Sequence, residues 1–290
     1  MTERDSRAEP PALRDGGQFR ALSRGMRIVL TIAGGLVFLA GLQLFVFPER
    51  TDEFFAWTID VPLTAAFLGA GYWASVALEW LAARERLWSN ARIAGPSVFV
   101  FTLLTLIATI VHLDLFHLDS SIDLSTRMVT WAWIAIYVSV PVFLAVLFVR
   151  QIRMSGDDPP RVSSVPKPMG FVLAIHAILL PALGAYLFLA PENAVSLWPW
   201  PLTPLTGRAV GAWVFSLGLA AAHALWENDL RRIRAAAVGY AAVGVLQGIA
   251  LVRFPDSVSW GEPQAIVYVA VLASMVGVGF GALWLGRDLR

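Results

Sequence analysis

The chain has 290 residues, of which 57% are hydrophobic and only 15% are charged, and it carries a formal net charge of +1 and no cysteine. Soluble domains usually carry about 25% charged residues, so this composition excludes an ordinary water-solvated surface. The balanced charge gives no reason to expect nucleic acid as a partner, and the lack of cysteine excludes disulfides and thiolate metal sites.

Polar residues 1–26 precede the apolar part of the chain and are predicted to form a disordered cytoplasmic tail, because they hold too few apolar side chains to pack. Eight apolar runs follow, each close to the roughly 20 residues that a helix needs to cross a bilayer. Backbone groups in lipid must be hydrogen-bonded within their own segment, which predicts helices. The predicted spans are 27–47, 62–82, 93–112, 127–149, 169–189, 206–226, 235–252 and 264–285.

The basic residues indicate how these spans are oriented. All but four of the 22 Lys and Arg residues fall in the tail, at the C-terminal end or in the loops after every second span. The positive-inside rule therefore predicts that both termini are cytoplasmic, in a plasma (inner) membrane. The basic residues are all arginine except Lys167, a bias that fits a GC-rich bacterial genome.

An internal resemblance suggests a duplication. Residues 57–73 (WTIDVPLTAAFLGAGYW) resemble residues 198–213 (WPWPLTPLTGRAVGAW), about half a chain later. The shared Pro-Leu-Thr gives an offset of 142 residues, as does the match of Gly69 to Gly211. Tryptophans around such loops are expected at the membrane–water interface, with the ring buried and the N–H wet.

A shift of four spans returns the chain to the same side of the membrane. The predicted fold is therefore an all-α integral membrane protein with eight transmembrane helices in two parallel, same-topology four-helix repeats. The repeats are 27–153 and 169–290, and a Pro- and Ser-rich cytoplasmic linker at 154–168 joins them.

The polar residues predicted deep in the membrane are mostly neutral, which argues against a proton relay or a multi-carboxylate ion site. Thr105 and Gln247 are equivalent under the 142-residue offset, and with Gln43 they are candidates to line a ligand site between the repeats. Hydrogen bonding between helices is the other interpretation of these groups. Glu79 is expected near the cytoplasmic end of the second span, where its carboxylate can reach the interface.

Arg208 is a further candidate for ligand binding. It falls in the first turn of the sixth span, where the helix dipole makes a cation mildly unfavourable. With Arg127 and Arg253 it is a candidate for an anion site that includes helix N-terminal amides. The alternative is that each arginine extends to lipid phosphates or pairs with a carboxylate.

Two sets of histidines suggest metal or haem chemistry. The segment HLDLFHLD places His112, Asp114, His117 and Asp119 within eight residues, and imidazole with carboxylate suits zinc or a similar divalent ion. A continuing helix would split the four onto two sides, so a site requires a bend; a solvated acidic loop is the alternative.

The second set consists of His176 and His223, which lie on adjacent predicted spans and would suit haem if both rings faced inward at one depth. His223 and Glu227 are also four residues apart, which allows a hydrogen bond along one helix face. No catalytic residue and no cofactor is predicted.

Three functions remain open from the sequence. The leading hypothesis is a non-enzymatic membrane protein that binds or passes a small uncharged or apolar molecule between its repeats. The second is a structural or regulatory subunit whose small-residue helix faces bind another membrane protein or a second copy. The third and weakest is a metal- or haem-dependent membrane enzyme or redox carrier. The lipid bilayer is the partner common to all three.

Overall fold

A computed structural model describes residues 19–289, and each of the eight predicted runs is helical in it. The prediction of a disordered tail falls mainly on residues 1–18, which lie outside the described residues. The long helices are α1 (Arg24–Gly41, continued by a π-helical turn, Leu42–Val46), α2 (Pro62–Arg84), α3 (Ala94–Val111), α4 (Leu124–Ile152), α5 (Lys167–Leu189), α6 (Pro204–Glu227), α7 (Arg234–Arg253) and α8 (Pro263–Leu285).

Seven of these helices are long and apolar enough to cross a membrane, which is consistent with a multi-pass helical membrane protein. The exception is α2, which is 23 residues long but is not among the seven. Its sequence includes charged Glu79 and Arg84, together with glycines, a tyrosine and two tryptophans, and these residues lower its mean hydropathy. Most of its residues are buried, so other helices surround α2 where lipid would otherwise lie.

Helices α2, α3, α6 and α7 pack together at the centre. Three pairs of consecutive helices pack extensively along their length: α1 with α2, α5 with α6, and α7 with α8. Helix α4 packs on α3. The halves of the chain are connected mainly where α7 packs on α2 and α3 packs on α6. Large apolar side chains on α1, α4, α5 and α8 are exposed at the periphery, as expected for surfaces that face lipid.

Gly69 and Gly211 allow close contacts between helix backbones. A Cβ atom on Gly69 would lie 2.5 Å from the amide nitrogen of Phe45 in the π-helical turn. A Cβ atom on Gly211 would lie 2.7 Å from the carbonyl oxygen of Gly184 and 3.0 Å from the amide nitrogen of Phe188. Both pairs of backbones are therefore close enough that only glycine fits without a shift.

The two ends of the bundle differ in chemistry. One end, called here the arginine end, carries the loops 85–93, 153–166 and 228–233; the other, called the tryptophan end, carries the loops 47–61, 112–123, 190–203 and 254–262. At the tryptophan end α6 begins with Thr203 as N-cap and Pro204 in the first turn.

A buried ion pair joins the two halves at the arginine end. The Glu227 carboxylate, fully buried at the end of α6, accepts hydrogen bonds from Arg92 Nη2 (2.9 Å) and Arg232 Nη1 (3.1 Å). Arg92 also contacts Asp158 of the connecting segment. Paired and hydrogen-bonded in this way, the buried charges hold the α3 entry, the linker and α6 together.

The first helix begins three residues before the predicted span. Ser23 accepts a hydrogen bond from the amide of Met26 and acts as the N-cap. Gln151, buried near the end of α4, accepts a hydrogen bond from the Ser23 amide and donates one to the Ala21 carbonyl, both 2.8 Å. The residues just before α1 are thereby attached to the arginine end.

Candidate functional site

A cavity of about 90 Å³ lies between the two halves of the chain, in the part of the bundle nearer the arginine end. It is called the Glu79 cavity here. Six helices contribute to its wall, and the wall is almost wholly apolar. The lining residues used below are Glu79, Phe101, Tyr137, Trp213, Ser216 and Tyr240, with Leu217 and Val243 at one side.

Glu79 is the charged residue of this wall. Its side chain is only 1% exposed, and Oε2 has no hydrogen-bond partner. The expectation that Glu79 reaches the membrane interface is therefore wrong. Successive helical residues are rotated by about 100°, so its neighbour Trp80 faces outward, where its indole N–H donates to the Thr31 carbonyl at 3.2 Å.

Aromatic side chains surround the carboxyl group on the other sides of the cavity. The rings of Phe101 and Trp213 are 4.0 Å apart between centroids. Tyr137 forms a hydrogen bond with the hydroxyl of Tyr72 at 2.7 Å, and the Tyr240 hydroxyl donates to the Leu217 carbonyl at 3.0 Å. These hydroxyl groups are satisfied within the protein, and the rings present aromatic surface to the cavity.

Ser216 is the second polar group of the Glu79 cavity that has no partner. Its residue is 4% exposed and its Oγ atom is buried without a hydrogen bond. A buried polar atom without a partner costs free energy, and such atoms are rare in native proteins. Glu79 Oε2 and Ser216 Oγ are therefore two polar atoms in one cavity wall that lack a hydrogen-bond partner.

A second cavity, of about 510 Å³, lies nearer the tryptophan end, between α5 and α8. It is called the Trp198 cavity here. Its volume falls within the range of small-molecule sites. Trp198 Nε1 and Gln264 Oε1 are buried in its wall without partners, which leaves one free donor and one free acceptor.

Leu217 and Val243 line both cavities. Along α2 the wall of the Trp198 cavity includes Phe67, whereas that of the Glu79 cavity runs from Gly71 to Glu79. At 1.5 Å per residue, Phe67 and Glu79 are about 18 Å apart along the helix. The two cavities are therefore stacked along the bundle, and two apolar side chains lie where they meet.

Of the polar residues predicted to line a ligand site, only Gln247 lies in the wall of either cavity. It donates to the Phe67 carbonyl at 3.0 Å and accepts from the Tyr268 hydroxyl at 3.1 Å, at the Trp198 cavity. Thr105 is buried with its Oγ1 atom unpaired. Gln43 is half-buried in the π-helical turn. The structure does not bring the three into one wall.

Arg208 and His112 meet at the tryptophan end, a contact that the sequence did not predict. Arg208 Nη1 lies 2.7 Å from His112 Nε2, so the guanidinium donates to a neutral imidazole. Burial and the positive charge of Arg208 lower the pKa of His112, which favours this neutral acceptor form.

The four predicted metal ligands are dispersed. His117 is buried, with Nε2 3.0 Å from Thr58 Oγ1 and Nδ1 2.9 Å from the Phe55 carbonyl oxygen. Asp119 accepts a hydrogen bond from the Ser121 amide, which lowers the pKa of that carboxyl group. Asp114 is exposed. Within residues 19–289, no group of three or more His, Asp or Glu side chains is arranged to hold a metal ion.

The two histidines considered for haem have separate protein contacts. His176 Nε2 lies 2.9 Å from Ser274 Oγ. His223 Nε2 lies 3.4 Å from Glu227 Oε1, which confirms the predicted contact along one face of α6. The Nε2 atoms of both histidines therefore contact protein groups, and each would have to give up this contact to bind haem iron.

The tryptophans of the repeated motif have a different role from the one predicted. Trp198 and Trp200 are buried, at 7% and 2% exposure, and the expectation of wet interfacial rings is wrong for them. Trp200 Nε1 donates to Thr64 Oγ1 at 2.9 Å, which connects the second half of the chain to α2. These tryptophan rings are buried by packing between the two halves of the chain, whereas in an isolated span they would be exposed at the membrane–water interface.

Sequence reasoning missed Glu79, Ser216 and Trp213 as cavity residues. One signal was available for Glu79, because it is the only carboxylate within the eight predicted spans. No feature of the sequence distinguishes Ser216 or Trp213, because small polar and aromatic residues are common in the predicted spans. Comparison of the chain with family models, with curated proteins and with solved structures finds no match.

Proposed function

We propose that this protein binds a small, largely apolar molecule in the two stacked cavities and lets it pass between them at Leu217 and Val243. The observation that carries the proposal is the shared wall: two cavities, one near each end of the bundle, meet at two apolar side chains. Apolar walls with a few unpaired polar atoms are typical of small-molecule sites.

The proposal includes an eight-span architecture of two parallel four-helix repeats. The helix contacts support it, because the pair α1–α2 becomes α5–α6 under the repeat offset, and α3–α4 becomes α7–α8. The contacts between halves exchange as well: α2–α7 becomes α6–α3. A pseudo-twofold axis along the membrane normal would produce this exchange.

The close glycine contacts support the same equivalence. Gly69 approaches the backbone of Leu44 and Phe45, and Gly211 approaches Leu187 and Phe188. Leu187 and Phe188 follow Leu44 and Phe45 by 143 residues, which is within one residue of the offset between the glycines. The arginine end is then the cytoplasmic end of a plasma-membrane protein, in agreement with the positive-inside rule.

Photolabelling tests the binding proposal directly. Purified protein in nanodiscs is irradiated with 3-trifluoromethyl-3-phenyldiazirine, with and without excess toluene, and labelled residues are mapped by mass spectrometry. We expect labelling of Leu217 and Val243 to be suppressed by toluene, since both compounds compete for a limited site. Labelling of Val245, which is exposed two residues further along α7, is expected to persist, since lipid-facing surface does not saturate.

A matched pair of substitutions then tests the passage between the cavities. Leu217→Trp fills the junction and is expected to remove the toluene-sensitive labelling at Val243, whereas Val245→Trp leaves it intact. Labelling that is insensitive to toluene at every position would refute the proposal.

A further inference from the structure

We infer that Glu79 is the anchor for a basic nitrogen, so that the molecule bound in the Glu79 cavity is a lipophilic amine. This inference rests on the proposed function and narrows it from a largely apolar molecule to one with an apolar body and a single ammonium group. It is carried by the placement of a buried carboxyl group, a buried hydroxyl group and aromatic rings in one cavity wall.

The carboxyl group has no partner of its own. Among residues 19–289, no hydrogen bond and no ion pair involves Glu79. Glu227, the other fully buried glutamate, has two arginines against it. A carboxylate taken out of water is costly unless a cation lies beside it. Glu79 therefore lacks the cationic partner that Glu227 has within the protein. A cation that enters the cavity can supply that partner.

The remaining polar and aromatic groups suit an alkylammonium ion. The unpaired Ser216 Oγ atom can accept one N–H of such a group while the Glu79 carboxylate accepts another. Phe101, Tyr137, Trp213 and Tyr240 line the same cavity. Aromatic rings attract ammonium groups through their quadrupole, most strongly where water is excluded.

The size and position of the cavity define the rest of the molecule. A volume of about 90 Å³ corresponds to roughly three water molecules, which is enough for a small alkylammonium head. The wall residues of α1, and Ile136 and Val140 of α4, are half-exposed, whereas those of α2 are mostly buried. An apolar tail can therefore extend between α1 and α4 towards lipid, from which the molecule would enter.

The test compares two probes of nearly equal size and shape. Cyclohexylmethylamine carries the ammonium group, and cyclohexylmethanol is its neutral counterpart. Binding of each to the protein in nanodiscs is measured by isothermal titration calorimetry, with empty nanodiscs subtracted to remove partition into lipid. We expect the amine to bind at least about tenfold more tightly than the alcohol.

Glu79→Gln keeps the size of the side chain and removes its charge, so it is expected to abolish the preference for the amine. Glu85→Gln removes a charge six residues away, outside the cavity, where Glu85 accepts a hydrogen bond from Asn90, and it is expected to keep the preference. If Glu79→Gln does not elute as a folded protein, Ser216→Ala provides the test, with an expected threefold to tenfold loss of amine affinity.

The outcomes separate this inference from the proposed function. Equal binding of both probes, with no effect of Glu79→Gln or Ser216→Ala, overturns the amine inference and leaves a cavity for neutral molecules. Saturable binding of neither probe, together with toluene-insensitive photolabelling, overturns the proposed function as well. A preference for the amine that survives in Glu79→Gln also overturns the inference, because the charge is then recognised elsewhere.

Discussion

The two glycine contacts provide the sharpest test of the architecture. Replacing Gly69 by alanine would place a Cβ atom 2.5 Å from the Phe45 amide nitrogen and 2.9 Å from the Leu44 carbonyl carbon. At Gly211 the nearest atoms are the Gly184 carbonyl oxygen at 2.7 Å and the Phe188 amide nitrogen at 3.0 Å. Carbon atoms normally approach no closer than about 3.5 Å, so each helix pair must separate by up to about 1 Å.

The expected effect is a net of two opposing contributions. Overpacking costs about 1–3 kcal/mol, and here the atoms that must move belong to backbones, which favours the upper part of that range. Replacing glycine by alanine within a helix returns up to about 1 kcal/mol. We expect each variant to lose about 1–2 kcal/mol, which corresponds to a fall in melting temperature of roughly 2–8 °C for a chain of this size.

Thermal unfolding in detergent, followed by intrinsic fluorescence, measures the effect. Gly248→Ala is the control, since a Cβ atom there meets nothing within 4 Å and only the gain in helix propensity remains. Stabilisation of Gly69→Ala and Gly211→Ala to the same extent as Gly248→Ala would refute the packing argument. A loss at one of the two glycines but not the other would contradict their equivalence in the proposed repeats.

Three further predictions concern the ends of the bundle and the cavity. Arg92→Leu removes one of the two arginines from buried Glu227 and is expected to cost about 2–4 kcal/mol of stability, which is less than the full penalty of a broken buried pair because Arg232 remains. The double variant with Glu227→Gln should recover most of this stability in thermal melts. Failure to recover it would mean that Arg92 acts through packing alone. His112 has a lowered pKa in the folded protein, so its contribution to folding stability is complete above the unfolded value near pH 6.5 and is lost as pH falls through the folded pKa. The melting temperature of the wild type should therefore fall more between pH 8 and pH 5 than that of His112→Gln. Equal falls would count against the contact with Arg208. Ser216→Ala removes a buried hydroxyl that has no partner and is expected to leave the ligand-free protein as stable or up to about 1 kcal/mol more stable; clear destabilisation would show that Oγ is satisfied after all.

The mixed outcome for the predicted site residues has a physical cause. Gln247 could be found because a large polar side chain inside an apolar run is conspicuous, and it does line a cavity. Gln43 satisfies the same criterion and Thr105 is equivalent to Gln247 under the 142-residue offset, yet neither residue lines either cavity. Depth along a helix can be read from the sequence, whereas the direction in which a side chain points depends on the rotation of the helix against its neighbours.

The sequence by itself determined that the chain is helical and suited to a membrane, and it located the helices to within about three residues, because hydropathy and span length are local properties of the chain. Tertiary structure decided that Glu79 is buried, that Trp200 bonds to Thr64 and that Arg208 meets His112. The two contacts join residues that are 136 and 96 positions apart in the sequence. The burial of Glu79 depends on which face of its helix turns inward. In a protein surrounded by lipid, apolar residues cover both the interior and the exterior, so the pattern of hydrophobicity does not reveal the inward face.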